Sequence, residues 1–249
     1  MAAGWPPKLG AVSQEERAQG IFSEYATVQL PGEHTLEVAI VAPAQEPGAA
    51  RTAVPTILAV SGEAQHHVSR FFQSWRAENK GWQVIIPLRP RDIQDLFFMD
   101  GGFPLVMATM ENLFTESSIA PYDVEGGKLV LVGTSNGGAT VLRMAAKMPE
   151  RVSSLNLVTG CNAGGFDLRP LEQIVGGDGR CNIRLYAGDQ DQFSHDTALK
   201  ELHQQLLPIV GEKPGLQLTI LPGVGHFDIG QGLDKEEFWA GIEAARVKP

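Results

Sequence analysis

Cysteine is nearly missing from this sequence of 249 residues, which has only Cys161 and Cys181. Two are too few for a disulfide framework, and their spacing is not that of a metal site. They read either as one bridge or, preferably, as two separate buried thiols. Positive charge is also short, with 20 Lys and Arg against 29 Asp and Glu and a formal net charge of −9. That balance speaks against a general binder of nucleic acid or of anionic membranes. No apolar run approaches the length of a membrane span, and Met1 to Lys8 has no apolar core of signal-peptide length, so the expected location is the cytoplasm. Internal repeats and low-complexity segments are absent as well.

What is present suits a soluble globular protein, with 43% hydrophobic and 20% charged residues. The length fits one large α/β domain with a sizeable core. Residues 1–22 are polar, with Pro6, Pro7 and the charged Glu15-Glu16-Arg17, and read as a loosely docked lead-in to a single domain over 23–249.

Thr27–Leu30 and Thr35–Val41 are predicted strands, and Pro31-Gly32-Glu33-His34 supplies the turn of an antiparallel hairpin. Ala42–Ala53 has no periodic pattern and reads as an exposed loop. Pro55–Val60 is the next apolar strand. A helix is expected over Gln65–Lys80, with Val68, Phe71, Phe72 and Trp75 as its buried stripe and Gly81 as its terminating C′ residue. Trp82–Pro87, Val152–Val158, Asn182–Ala187 and Leu216–Leu221 are further strands. Phe103–Phe114, Thr197–Leu207 and Lys235–Val247 are predicted helices. Strands alternating with helices predict a mostly parallel, twisted sheet with helices on both faces.

The most informative stretch is Lys128-Leu-Val-Leu-Val-Gly-Thr-Ser-Asn-Gly-Gly-Ala139. Leu129–Val132 is continuous, partly β-branched and apolar, as suits a central strand buried on both faces. Gly133-Thr134-Ser135-Asn136-Gly137 fits Gly-x-Ser-x-Gly, and Ala139–Met148 continues as a helix. In such a strand–turn–helix, glycines let the two elements approach closely while the serine takes a strained backbone conformation and points outward. The competing reading makes Ser135 an ordinary helix N-cap.

A serine hydroxyl becomes a nucleophile only beside a base, and the base needs a carboxylate to orient it. In a parallel sheet both should follow later strands, in the order Ser, acid, His. The strand ending at Ala187 runs into Gly188-Asp189-Gln190-Asp191, and the strand ending at Leu221 runs into Pro222-Gly223-Val224-Gly225-His226. His226 is the candidate base. The other histidines, His34, His66, His67, His195 and His203, lack its position in a glycine-flanked loop after the final strand. Asp191 is the preferred acid, with Asp189 expected to brace the turn and Asp228 as a third candidate. Backbone N–H groups of Asn136 and Glu63 are the expected oxyanion donors, with Gly62 giving the chain room to turn. His66 and His67 project about 100° apart on a helix and suggest no metal site.

These motifs resemble the α/β-hydrolase superfamily over roughly Thr27 to the carboxyl terminus. The Ser-Asn-Gly-Gly elbow is similar to that of feruloyl-esterase and polyester-depolymerase-like members, and of predicted serine peptidases of the same fold. The resemblance implies Ser135 as nucleophile, His226 as base and Asp191 as acid, with no metal and no organic cofactor. Ser61 is a departure, since many members carry His before the oxyanion glycine. Only 23 residues, 159–181, separate two of the strands, too few for a large lid domain. The Leu96-Phe97-Phe98-Met99 run in the 89–102 loop is expected either in the core or at the rim of an open site. The expected activity is cleavage of a small-molecule carboxylic ester or thioester through an acyl-enzyme. The alternatives are a serine peptidase or acyltransferase on the same triad, or a non-catalytic binding protein that keeps the fold. Acyl-chain length and oligomeric state are left open.

Overall fold

The computed structural model describes residues 24–30, 34–43, 50–62, 77–88, 103–116, 118–160, 166–175, 182–211 and 215–247. Eight strands form the main sheet: β1 (Glu24–Leu30), β2 (His34–Val41), β4 (Thr56–Val60), β5 (Gln83–Pro87), β7 (Leu129–Thr134), β8 (Val152–Val158), β9 (Ile183–Gly188) and β10 (Leu216–Leu221). Two short strands, β3 (Ala53–Val54) and β6 (Asp123–Val124), pair with each other in parallel. Among the described residues, the α-helices are α1 (Phe103–Asn112), α2 (Asn136–Lys147), α3 (His195–Val210), α4 (Ile229–Gly232) and α5 (Lys235–Ala244).

The strand order is β1-β2-β5-β4-β7-β8-β9-β10. β1 and β2 form the expected hairpin, β2 also runs antiparallel to β5, and every other pairing in the sheet is parallel. After β4 the chain lays β5 on one side and, after a crossover, β7 on the other. The carboxyl ends of β4 and β7 therefore flank a switch in winding direction, where open α/β sheets present a crevice.

The strand pattern explains why both faces are covered. In β7, Leu129 and Leu131 project into one core layer and Val130 and Val132 into the other, as the period of two requires. The first layer also holds Met107 and Met110 of α1, Val141, Leu142 and Met144 of α2, and Leu199, Leu202 and Leu206 of α3. The second holds Trp82 and, from α5, Phe238, Trp239 and Ile242. The central strands β4, β7 and β8 are buried almost throughout, whereas the edge strand β10 is half-buried along its whole length. Full burial of each of these leucines is worth about 1.5–3 kcal/mol, so the layered core is what fixes the strand ends in space.

Differences from the sequence reading lie mainly at element ends. Helix α3 starts at His195 and runs to Val210, past both expected limits, and α5 stops at Ala244, before the expected Val247. Ala53, expected in a loop, pairs with Asp123 in a two-residue ladder too short to show a periodic pattern. The 159–181 connection contains a 3₁₀ turn at Arg169–Gln173. Of the expected Gln65–Lys80 helix, only 77–80 falls within the described residues, as a 3₁₀ turn. Gly81 ends it at φ +79°, and the N–H of Trp82 donates to the carbonyl of Ala77, the bond expected of a C′ glycine. The apolar run at 96–99, the residues before 24 and both cysteines lie outside the described residues. Among those described, no helix is long and apolar enough to cross a membrane.

Asp234 caps α5 by accepting the N–H groups of Glu236 and Glu237, both at 3.0 Å. Asp234→Ala is expected to cost about 1 kcal/mol and to lower Tm by about 2–4 °C, read by thermal denaturation.

Candidate active site

Ser135 occupies the single residue between β7 and α2, at φ 51° and ψ −129°. A non-glycine residue there stores of order 1–3 kcal/mol of backbone strain. Its N–H donates to the carbonyl of Val158 at 3.1 Å, and its own carbonyl accepts the N–H of Gly138 at 2.9 Å. The side chain makes no capping bond, so Ser135 holds the cap position without acting as a cap. Glycines surround it for steric reasons. A Cβ on Gly62 would lie 2.6 Å from Ser135 Cβ and 3.0 Å from its Oγ, and a Cβ on Gly160 would overlap the Ser135 backbone.

Strand register brings the other groups to the same edge of the sheet. Thr134 pairs with Val158, so Ser135 and Thr159 are the next residues beyond adjacent strands. Val158 pairs with Tyr186, and Gly188 with Leu221, which starts the loops carrying Asp191 and His226 from that edge too. Those loops are tied together. Asp189 Oδ1 accepts the N–H of Gly223 at 2.7 Å, which is the bracing expected of it. The N–H of Gln190 donates to Val224 at 3.0 Å, and Gln192 Oε1 accepts the N–H of His226 at 3.3 Å.

His226 Nδ1 lies 2.9 Å from Asp191 Oδ2, and both side chains are buried. With Asp189 engaged at Gly223, it is Asp191 that reaches the imidazole. Asp228 opens α4, and its N–H donates to the carbonyl of Gly225 at 3.3 Å. Glu63, the second expected oxyanion donor, lies outside the described residues, as do His66 and His67. Asn136 is the first residue of α2. Ser61 is fully buried, and its Oγ has no hydrogen-bond partner among the described residues.

Two residues at the site were not anticipated. Thr159 Oγ1 donates to Asp191 Oδ2 at 2.5 Å and lies 3.3 Å from His226 Nδ1. Its φ is 48°, unusual for a β-branched residue. His195, at the start of α3, places Nδ1 3.3 Å from both oxygens of Asp191 and 3.2 Å from His226 Nδ1. The signal for Thr159 was its place at the end of the strand beside the elbow. His195 had only its spacing of four from Asp191.

Burial is the strongest single influence on the Asp191 carboxyl and pushes it up. The Thr159 hydroxyl, His226, the Phe193 N–H and the neighbouring His195 together outweigh burial and hold the carboxyl below its ordinary value of 3.8. Burial pushes His195 below its ordinary 6.5; Asp191 opposes that shift and His226 adds to it. Phe193 and Phe227 are exposed, and both pack edge-on against the His226 ring, at 4.8 and 5.1 Å between centroids. Among the described residues, Asp191, His195 and His226 also form a group with metal-ligand geometry, their ligand atoms all within 4.8 Å of one another.

No family model matches the chain, and no curated relative matches its sequence. Solved structures do resemble it. An S-formylglutathione hydrolase from Agrobacterium tumefaciens superposes with a TM-score of 0.60 at 15% identity, covering 89% of this chain and 95% of the other. The fluorophosphonate-binding serine hydrolase FphF of Staphylococcus aureus gives 0.62 at 12%, over 90% and 98%. Esterase 2 of Thermogutta terrifontis, phosphorylated by paraoxon, gives 0.56 at 12%, over 89% and 91%. Together with the strand order and the turn at Ser135, these likenesses show that the chain has the α/β-hydrolase fold.

Proposed function

We propose that this protein is a serine hydrolase that cleaves a carboxylic ester or thioester through an acyl-enzyme on Ser135. The observation that carries the reading is the buried 2.9 Å contact between His226 Nδ1 and Asp191, formed at the same sheet edge as a strained, half-buried serine. An ionised carboxylate at Nδ1 keeps the proton on that nitrogen and leaves Nε2 as the basic one. Nε2 then takes the Ser135 proton as Oγ attacks the acyl carbon, and returns it to the departing alcohol or thiol. Water repeats the sequence on the acyl-enzyme, with His226 again as base. The oxyanion is stabilised by the backbone N–H of Asn136, at the positive end of α2, and by that of Glu63. Likeness to hydrolases that react with fluorophosphonate or paraoxon supports a nucleophilic serine here.

Ser135→Ala is expected to lower kcat for a short p-nitrophenyl ester by roughly 10⁴- to 10⁶-fold with an unchanged circular dichroism spectrum. It should also abolish labelling by a fluorophosphonate probe. Retained hydrolysis overturns the reading, and parallel assays on p-nitroanilides separate esterase from peptidase.

Acid stability follows from the two depressed groups. Asp191 and His195 both bind a proton less readily when folded, so the unfolded chain holds more protons on acidification. Their contribution is complete above 6.5. It is lost from His195 first, as pH falls below that value, and from Asp191 as pH falls below 3.8 and through its lower folded value. In metal-free buffer the urea midpoint should fall across both windows. Asp191→Asn should remove the lower one and reduce kcat by about 10⁴-fold, because the wrong imidazole tautomer is favoured.

A further inference from the structure

Two imidazoles meet at Asp191 where a triad uses one. The extra imidazole presents the same nitrogen as the triad base: the Nδ1 atoms of His195 and His226 lie 3.2 Å apart, and both face one carboxylate. The triangle of His195 Nδ1, His226 Nδ1 and Asp191 Oδ2 has edges of 3.2, 2.9 and 3.3 Å. Zinc binds imidazole nitrogen at about 2.0–2.1 Å and carboxylate oxygen at about 2.0–2.2 Å in a tetrahedron, which sets ligand-to-ligand edges of about 3.3–3.4 Å. The three edges lie within about 0.5 Å of those values.

The surroundings suit the same ion. Two imidazoles and a carboxylate are a borderline-soft donor set matched to zinc. The carboxylate is held by outer-shell donors, with Thr159 Oγ1 on Oδ2 and the N–H of Phe193 on Oδ1 at 2.8 Å. His195 retains 18% side-chain exposure, against 8% for His226 and none for Asp191, so the cluster opens to solvent on the His195 side. That side leaves the fourth coordination position for water.

We propose that Asp191, His195 and His226 form a Zn²⁺-binding site whose occupancy switches off hydrolysis at Ser135. The inhibitory half of this proposal rests on the serine-hydrolase reading; the binding half does not. Inhibition follows from the tautomer. Zinc at Nδ1 of a neutral His226 requires the ring proton on Nε2, so the proton leaves Nδ1 and is taken up, through solvent, at Nε2. The ring then has no lone pair with which to accept the Ser135 proton, and the hydrogen bond from Nδ1 to Asp191 is gone. No bond to substrate and no redox change is involved, and a chelator reverses the effect.

The test titrates Zn²⁺ calorimetrically, and Co²⁺ as a visible-absorbing substitute, into the intact chain and into His195→Ala, His195→Gln, His226→Ala and Ser135→Ala. The expected result is one site per chain with the intense visible bands of tetrahedral Co²⁺. Binding should weaken by at least about 100-fold in the three histidine variants, beyond the 10- to 100-fold loss typical of outer-shell changes, and stay unchanged in Ser135→Ala. Absence of binding, or equal binding in folded His195→Ala and His195→Gln, overturns the site. In parallel, ester hydrolysis by the unmodified chain should be inhibited by Zn²⁺ and recovered with EDTA. Each His195 variant, compared with its own metal-free rate, should resist that inhibition. Binding at these residues without inhibition of an active enzyme overturns the switch. Binding by a chain that cleaves no ester overturns the hydrolase reading and the switch, and leaves the site standing.

Discussion

A single buried carboxylate holds the site together. Removing an ionised group from water costs several kcal/mol unless donors replace the lost hydration. Around Asp191 those donors come from separate parts of the chain: Thr159 beyond β8, the N–H of Phe193 in the loop after β9, and His226 in the loop after β10, with His195 at the head of α3 beside them. Each partner is useful only if the strand that carries it ends at the right height. The two-layered core meets that condition by burying β7, β8 and β9 on both faces. Core packing and site electrostatics are therefore one constraint seen from two sides.

The cost of assembling these groups is visible in the backbone. Among the described residues, the non-glycine positions with positive φ are Ser135, Thr159 and Ser194. The first is the proposed nucleophile, the second donates to Asp191, and the third immediately precedes His195. At of order 1–3 kcal/mol each, such strain persists only where the surroundings over-determine the conformation. For Ser135 they do so through close backbone approach, from Gly62 on one side and Gly160 on the other. A larger side chain at either position would relieve nothing and would displace the serine.

Those constraints explain which features were legible in the sequence. Apolar runs and the turn residues between them located the main strands, because core burial imposes its pattern on the sequence; Val152–Val158 and Leu216–Leu221 match to the residue. The Gly-x-Ser-x-Gly turn was legible because close approach admits only glycine at particular positions. The pairing of Asp191 with His226 followed from strand order, since consecutive parallel strands deliver their loops to one edge. His195 was not legible. At the start of a helix a histidine resembles any surface imidazole, and its meeting with Asp191 depends on the turn through Gln192, Phe193 and Ser194. Nothing in the composition of that turn specifies the left-handed conformation of Ser194. Thr159 was missed for a related reason: a threonine ending a strand is ordinary until the neighbouring loop places a carboxylate within 2.5 Å of its hydroxyl.

The arrangement also settles why the carboxylate three residues beyond β9, and not the one adjacent to it, reaches the imidazole. Asp189 is too close to the strand to leave the sheet edge, and its Oδ1 is already committed to Gly223, where it stiffens the turn that launches the His226 loop. Asp191 lies one turn further, with its backbone N–H returned to the carbonyl of Gly188 at 3.3 Å, so its side chain is aimed inward. The two aspartates thus divide the work between holding the loop and orienting the ring. A carboxylate placed to orient one ring nitrogen has a second oxygen and further lone pairs to offer, and in this chain His195 stands beside them. In the proposed triad, the geometry that keeps the His226 proton on Nδ1 is the same geometry that lets the proposed zinc ion compete for that nitrogen. The outcome is decided by whether a proton or a metal ion occupies the space between two imidazoles and one carboxylate.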